Sequence, residues 1–260
     1  MFSSSVRTQA HSLPQNLLLA SLPADAFARI APHLTPVDLH AGDVLAEAGG
    51  AVKHVYFPQS GVISLVVEMA AGQNVETAMI GRDGVLNAGA ALDGKVSLSR
   101  AVVRFSGVAM AIASDKLIEA AAGSDDLRSL LLRHEQVLLA EAQQAAACNA
   151  SHRTGPRLCK WLLRMRDIAG NDNLMVTQDD LAEMIGVTRP SVTIAANELQ
   201  KAGCIGYRRG VVQIFDAAGL KARGCECYGI VQGHRTAMLG PHAPVAGPPA
   251  VAVSGRSRRH

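Results

Sequence analysis

From Val37 to about Ala113 the apolar residues come in short runs parted by glycines. VYF at 55–57, VISLVV at 62–67, VETAMI at 75–80 and AVVRF at 101–105 are the clearest, with turn glycines from Gly42 to Gly107, among them Gly72 and Gly94. Short β-branched runs with turn signals about every ten residues predict an antiparallel sandwich or barrel. A short helix precedes them at Ser21–Ala31, with Leu22, Phe27 and Ile30 apolar and Pro32 just beyond its end.

After Ser114 the period becomes helical. A short helix runs to Ala122, Gly123 breaks it, and Ser124 caps a long helix reaching about Ala150. Along it Leu127, Leu131, His134, Leu138, Glu141, Ala145 and Cys148 alternate at four and three, the spacing of a coiled-coil seam. That stripe either faces a partner helix or packs on its own domain. Arg153–Arg166 predicts a further helix starting near Pro156. Its apolar side carries Leu158, Trp161, Leu162 and Met165, and its basic side Arg157, Lys160 and Arg164; it is expected to support the segment that follows, with some of its cations near a polyanion backbone.

The segment 177–203, TQDDLAEMIGVTRPSVTIAANELQKAG, spells two helices and a tight turn. Thr177 is an N-cap with Asp179 and Asp180 in the first turn, and Gly186 ends that helix. Thr188 caps the second, Pro190 sits where its missing N–H costs nothing, and Gly203 closes it. Val192, Ala195, Leu199 and Ala202 share one side. Arg189, Pro190, Thr193, Ile194, Asn197 and Lys201 share the other. This is a helix-turn-helix, whose second helix enters the major groove of DNA. Arg189 suits guanine O6/N7, Thr193 and Asn197 are hydrogen-bonders, and Ile194 can touch a thymine methyl. Ile205–Asp216 then predicts a hairpin, a wing with Arg208 and Arg209 at its tip for phosphate contact. Ala217 to about Met238 predicts a broken terminal helix before a Pro/Gly/Ala-rich tail.

Charge sharpens this division. The 260-residue chain has a net charge of only +3, yet residues 1–150 hold ten cations against fourteen carboxylates, and residues 151–235 hold twelve against eight. An acidic front and a basic back fit a sensor joined to a polyanion-binding module. A hydrophobic content of 48% supports packed cores, and no apolar run reaches membrane-spanning length. The opening residues lack the apolar stretch of a signal peptide, so a cytoplasmic location is expected. The five cysteines all fall in the second half. Cys225-x-Cys227 lacks a second ligand pair in the sequence, so no metal is expected. No nucleophile–base motif or phosphate-cradling loop is present, so no enzymatic activity is expected.

The segment from Thr177 through the wing resembles the winged helix-turn-helix of the Crp/Fnr family of bacterial transcription regulators. VKHVYFPQSGVISLV and AMIGRDGV resemble the cyclic-nucleotide-binding-like β-roll of the same family, and the resemblance extends over about residues 20–235. It implies DNA contact through Thr177, Gln178, Thr188, Arg189, Pro190, Ser191, Thr193, Ile194, Asn197, Arg208 and Arg209. It also implies a homodimer seamed by Leu127, Leu131, His134, Leu138 and Ala145, with RNA polymerase as a further candidate partner. Where relatives that bind cyclic AMP offer Gly-Glu to the ribose and Arg-Ser/Thr to the phosphate, this chain has Asn87-Ala88 and Arg100-Ala101. Arg82, Asp83, Gly84, Asn87 and Arg100 mark the corresponding effector pocket. Its cyclic-nucleotide cassette is degenerate, and no cofactor is assigned.

The fold expected is α+β: an N-terminal antiparallel β-roll, a long dimerisation helix and a C-terminal winged helix-turn-helix. Its limits are a disordered 1–15, a sensor domain 16–123, a dimerisation helix 124–152, a DNA-binding domain 153–235 and a disordered tail 236–260. The function expected is sequence-specific binding of double-stranded DNA in transcription regulation, under an unidentified effector. The competing expectation is a small-molecule sensor acting through protein contacts, its helix-turn-helix vestigial.

Overall fold

The computed structural model describes residues 15–70, 74–89, 91–92, 95–208 and 210–240. The expectations for residues 1–14 and 241–260, for the turns at Gly72 and Gly94 and for Arg209 lie outside them. Two short helices, α1 (Leu17–Ser21) and α2 (Ala24–Ile30), with a 3-10 turn at Ala31–His33, take the place of the single helix expected at 21–31. Asn16 caps α1 with its side chain, and Pro23 starts α2.

Among the described residues seven strands build the β-roll: β1 (Thr35–Leu39), β2 (Val44–Ala46), β3 (His54–Pro58), β4 (Val62–Glu68), β5 (Asn74–Ile80), β6 (Arg100–Phe105) and β7 (Gly107–Ala113). They form two antiparallel sheets, ordered β1-β7-β3 and β2-β6-β4-β5. Leu39, Ile63, Ile80, Leu86, Ala101, Val103 and Ala109 pack together in the roll, none more than 2% exposed.

The helices that follow are α3 (Ser114–Ala122), α4 (Asp125–Ser151) and α5 (Thr154–Ala169). Ser124 caps α4 by accepting from the Leu127 N–H. The winged domain comprises β8 (Asn173–Met175), α6 (Gln178–Ile185), α7 (Arg189–Lys201), β9 (Ile205–Arg208), β10 (Val211–Ile214) and α8 (Ala217–Arg223). The wing is a three-stranded sheet ordered β8-β10-β9. The chain ends in α9 (Cys227–Leu239), which turns back to lie along α4. The terminal helix is therefore broken as expected, but its ordered part runs past residue 236, and Leu239 buries itself in the core shared by α3, α4 and the roll. No helix among the described residues is long and apolar enough to cross a membrane.

Within the protomer, most of the expected stripe on the long helix is already covered. Leu127, Leu131 and His134 are fully buried within the protomer, and Leu138 packs against the roll. Ala145 lines a cleft between α4, α5 and α9. Seam spacing alone cannot say which surface covers a stripe, and here the chain's own sheets and α9 cover it. The free side of α4 carries Leu132 (52% exposed), Leu139 (61% exposed) and exposed Ala146, seven residues apart.

Candidate nucleic-acid interface and its coupling to the sensor

The helix-turn-helix is built by its caps. The Thr177 side chain accepts from the Asp180 N–H, and the Asp180 carboxylate accepts from the Thr177 N–H, so each satisfies an orphan donor of α6. Gly186 takes φ +62° at the turn, left-handed backbone that a side chain would strain. Val192, Ala195, Ala196 and Leu199 then bury one face of α7 in the domain core. The opposite face is left in solvent. Arg189, Pro190, Ile194 and Asn197 are all exposed, and the Ile194 side chain has no protein surface to explain its 62% exposure.

Arg189 reaches back to Asp179 at 3.1 Å, an exposed pair worth little and easily exchanged for another anion. Thr188 and Ser191 join through their hydroxyls at 3.0 Å. Thr193 is turned partly inward, its hydroxyl donating to Gln178 Oε1 at 2.7 Å, while the Gln178 N–H donates to the Tyr207 hydroxyl. These two contacts join α7, α6 and the wing into one unit. Arg208 is exposed at the end of β9. Thr177 acts locally as a cap, and Thr193 and Gln178 serve first to join helices.

The basic side expected on α5 is corrected by the tertiary structure. Arg157 is buried and donates to the Ile185 carbonyl at the end of α6. Arg164 is buried and pairs with Asp83 of the roll at 2.6 Å. Arg157 thus ties α5 to α6 within the winged domain and Arg164 ties α5 to the roll, so neither faces a polyanion.

The effector residues do not converge either. Asp83 turns away from the roll toward Arg164 and Arg235, the latter 3.1 Å away. Arg100 lies between Glu47 and Glu68 on the surface of the outer sheet. Asn87, at φ +69°, donates to the His54 carbonyl. A Cβ on Gly84 would stand 2.9 Å from His134 Nε2, so that glycine serves close packing. Arg82 is half-buried, and burial lowers its pKa. The ribose and phosphate pocket expected of these five is therefore not assembled.

What joins the β-roll and the winged domain is a set of buried polar contacts. Arg235 of α9, 1% exposed, pairs with both Glu141 of α4 and Asp83, while Asp83 also holds Arg164 of α5. Two carboxylates and two guanidiniums thus meet where four elements cross, and each charge has an opposite neighbour. His134 lies beside them, accepting from the Val85 N–H through Nε2. Burial, then the Arg235 charge, push its pKa down to about 3, so the ring stays neutral. Nearby, Trp161 of α5 donates to Glu76 of β5 at 2.7 Å, and the Ser64 hydroxyl donates to the other carboxyl oxygen. Burial raises the Glu76 pKa to about 7. Arg104 of β6 pairs with Asp180 and Glu183 of α6 at 3.8 and 3.6 Å. Between β5, α4, α5 and α9 a small cleft of about 70 Å³ opens, lined by Glu76, Met79, Trp161, Met184 and Tyr228 among others.

Sequence inspection missed this network because Asp83 reads as part of the cassette, Arg164 as part of a basic helix side and Glu141 as part of the α4 stripe, and nothing along the chain pairs them with one another or with Arg235. It also counted too few ligands beside Cys225-x-Cys227. Cys148 and His152 stand next to that pair, with all four ligand atoms within 4.8 Å of one another.

Residues 156–223 match the Crp-like helix-turn-helix domain family. Comparison with curated proteins returns no match. Among solved structures, a CRP/FNR-family transcriptional regulator of Thermus thermophilus is 25% identical, with a TM-score of 0.60, covering 73% of this chain and 100% of its own. FixK2 from Bradyrhizobium japonicum aligns with a TM-score of 0.65 at 15% identity, over 74% of this chain and 98% of its own. CLP of Xanthomonas campestris, a c-di-GMP responsive global regulator, gives 0.62 at 15% identity over 74% and 99%. The last two establish the fold. Together with the helix-turn-helix match and the Thermus relative, they show a chain that carries a Crp-like helix-turn-helix domain at 156–223 and is similar in fold to CRP/FNR-family transcriptional regulators.

Proposed function

We propose that the protein acts as a homodimer that reads a near-palindromic operator with two copies of α7, one helical turn (about 34 Å) apart. The observation that carries this reading is the outward face of α7, where Arg189, Pro190, Ile194 and Asn197 stand exposed on a helix otherwise buried in its domain. Arg189 reads guanine, Ile194 meets a thymine methyl, Thr188 and Ser191 approach the backbone at the helix start, and Arg208 holds phosphate. By sequence Arg209, next to it, is proposed for the same phosphate contact. The partner helix docks on the free side of α4, along Leu132, Leu139 and Ala146. The limits proposed are a sensor domain through residue 123, α4 as linker and dimer helix, and the winged domain from 153, with α9 fastened back to α4.

Effector control works through the buried contacts between roll and reading head. The cleft beside Glu76 and Trp161, mostly apolar with a few polar groups, is where a small molecule would shift them. Cyclic nucleotide is not favoured as that molecule, because Asn87 and Arg100 offer it no common pocket. RNA polymerase is the downstream partner expected of a regulator that activates.

The test is selection of genomic fragments by the purified full-length protein at stated salt, followed by titration of the recovered site. Arg189→Ala is expected to lose about 1–3 kcal/mol of discrimination at one base pair. Arg208→Ala is expected to weaken all sequences alike and reduce the salt slope by about one. If Arg189→Ala discriminates among operator variants as the native protein does, α7 is not the reading element.

A further inference from the structure

The five cysteines divide by place. Cys159 and Cys204 lie in the core of the winged domain, whereas Cys148, Cys225 and Cys227 form a small buried cluster of their own. Cys148 sits in the last turn of α4 and His152 is that helix's C-cap residue, one turn on. Cys225 and Cys227 flank the start of α9, directly after Gly224 ends α8. Three sulfurs and one imidazole nitrogen thereby meet, every ligand atom within 4.8 Å of the others.

Two of the six ligand edges already lie close to those of a single ion's coordination shell. Cys148 Sγ and Cys225 Sγ are 3.6 Å apart, as are Cys227 Sγ and His152 Nδ1. With Zn–S near 2.3 Å and Zn–N near 2.0–2.1 Å, a tetrahedral site has S···S edges of about 3.8 Å and S···N edges of about 3.6 Å. We propose that Cys148, His152, Cys225 and Cys227 bind one zinc ion in a closed tetrahedral Cys3His site. The surroundings support the same assignment. His152 Nε2 lies 3.3 Å from Glu226, so the ring donates to a carboxylate on one side while Nδ1 faces the sulfurs. That is the orientation a metal-ligating histidine takes from its outer partner. The Gln144 amide donates to Cys227 Sγ at 3.1 Å, a contact that favours a thiolate.

Three thiolates select a soft or borderline ion over magnesium or calcium. A polynuclear iron–sulfur cluster interposes several irons and sulfides between its thiolates, and holds them farther apart than these. A Cys148–Cys225 disulfide would need its sulfurs at about 2.05 Å and would leave Cys227 and His152 without a role. With four protein ligands the site has no open position, so its work is structural. It clips the α8–α9 turn to the end of α4, beside the His152–Arg153 joint that leads into the winged domain. Held there, α9 lies along α4 with Arg235 in reach of Glu141 and Asp83.

Full-length protein expressed in zinc-supplemented medium and purified under reducing conditions is expected to carry one zinc per chain by elemental mass spectrometry. Cys225→Ser and His152→Ala are expected to lose it, while Cys204→Ser, buried elsewhere, keeps it. Because a ligand variant can misfold, the native protein supplies a second readout. After chelation, cobalt(II) is expected to give the intense visible bands of a thiolate-rich tetrahedral site, saturating at one equivalent and abolished by zinc. Native protein that is metal-free and silent toward cobalt overturns the proposal. So do zinc retained by Cys225→Ser, iron at several equivalents per chain, or a Cys148–Cys225 disulfide found by peptide mass spectrometry.

Discussion

Glu76→Gln should change how stability depends on pH far more than it changes the structure. Glu76 is buried on β5, accepting from Trp161 across the boundary between roll and winged domain and from Ser64 within its own sheet. Burial raises its pKa from an ordinary 4.5 to about 7, against the lowering effect of both hydrogen bonds and of Arg104 and Lys160. Below about pH 4.5 the carboxyl is protonated whether the chain is folded or not. Between there and about pH 7 only the unfolded chain releases the proton, so the folded state loses stability as pH rises. Above about 7 both states are ionised and the loss is constant. At about 1.4 kcal/mol per pKa unit, this one group removes roughly 3 kcal/mol across that window. Glutamine keeps the shape, accepts from Trp161 and cannot ionise. The other titrating groups are common to both proteins and cancel in their difference. Urea unfolding of the native chain and Glu76→Gln at pH 5, 6, 7 and 8 should therefore show the variant gaining on the native protein by roughly 2.5 kcal/mol over that range. A difference that stays the same at every pH would refute the reasoning.

Arg235→Ala should destabilise the protein by about 3–5 kcal/mol in urea unfolding, because it leaves Glu141 buried without its cation. Combining Arg235→Met with Glu141→Leu should recover most of that, and a double variant no better than the single would count against the network. Leu139→Lys should shift sedimentation from dimer to monomer with little loss in melting temperature. An unchanged dimer would move the interface off the free side of α4. Operator discrimination by Arg189→Ala and metal content with Cys225→Ser complete the set.

The local grammar of the chain was legible in advance. The Thr177–Asp180 box, Gly186 in left-handed backbone, Ser124 before α4 and the strands β3 to β6 depend on residues a few positions apart, and such contacts are written in sequence order. The helix-turn-helix, and with it the DNA-binding reading, followed from those alone. What covers a surface was not legible. The same four-and-three stripe on α4 suits a partner helix or the chain's own roll, and only the return of α9 and the packing of the sheets decided for the second. Arg157 and Arg164 looked like a solvated basic face until the roll and α6 closed over them. Asp83 looked like part of a ligand cassette until Arg235, 152 residues away, reached it. The Cys3His cluster shows the limit most clearly. Its ligands come as two ordinary fragments, Cys148 with His152 and Cys225 with Cys227, the paired sulfurs 77 residues apart in the chain. Periodicity and caps are local physics and can be read along a line. Charge pairing and metal ligation act through space, and they became visible only when the fold brought the ends of α4 and α9 together.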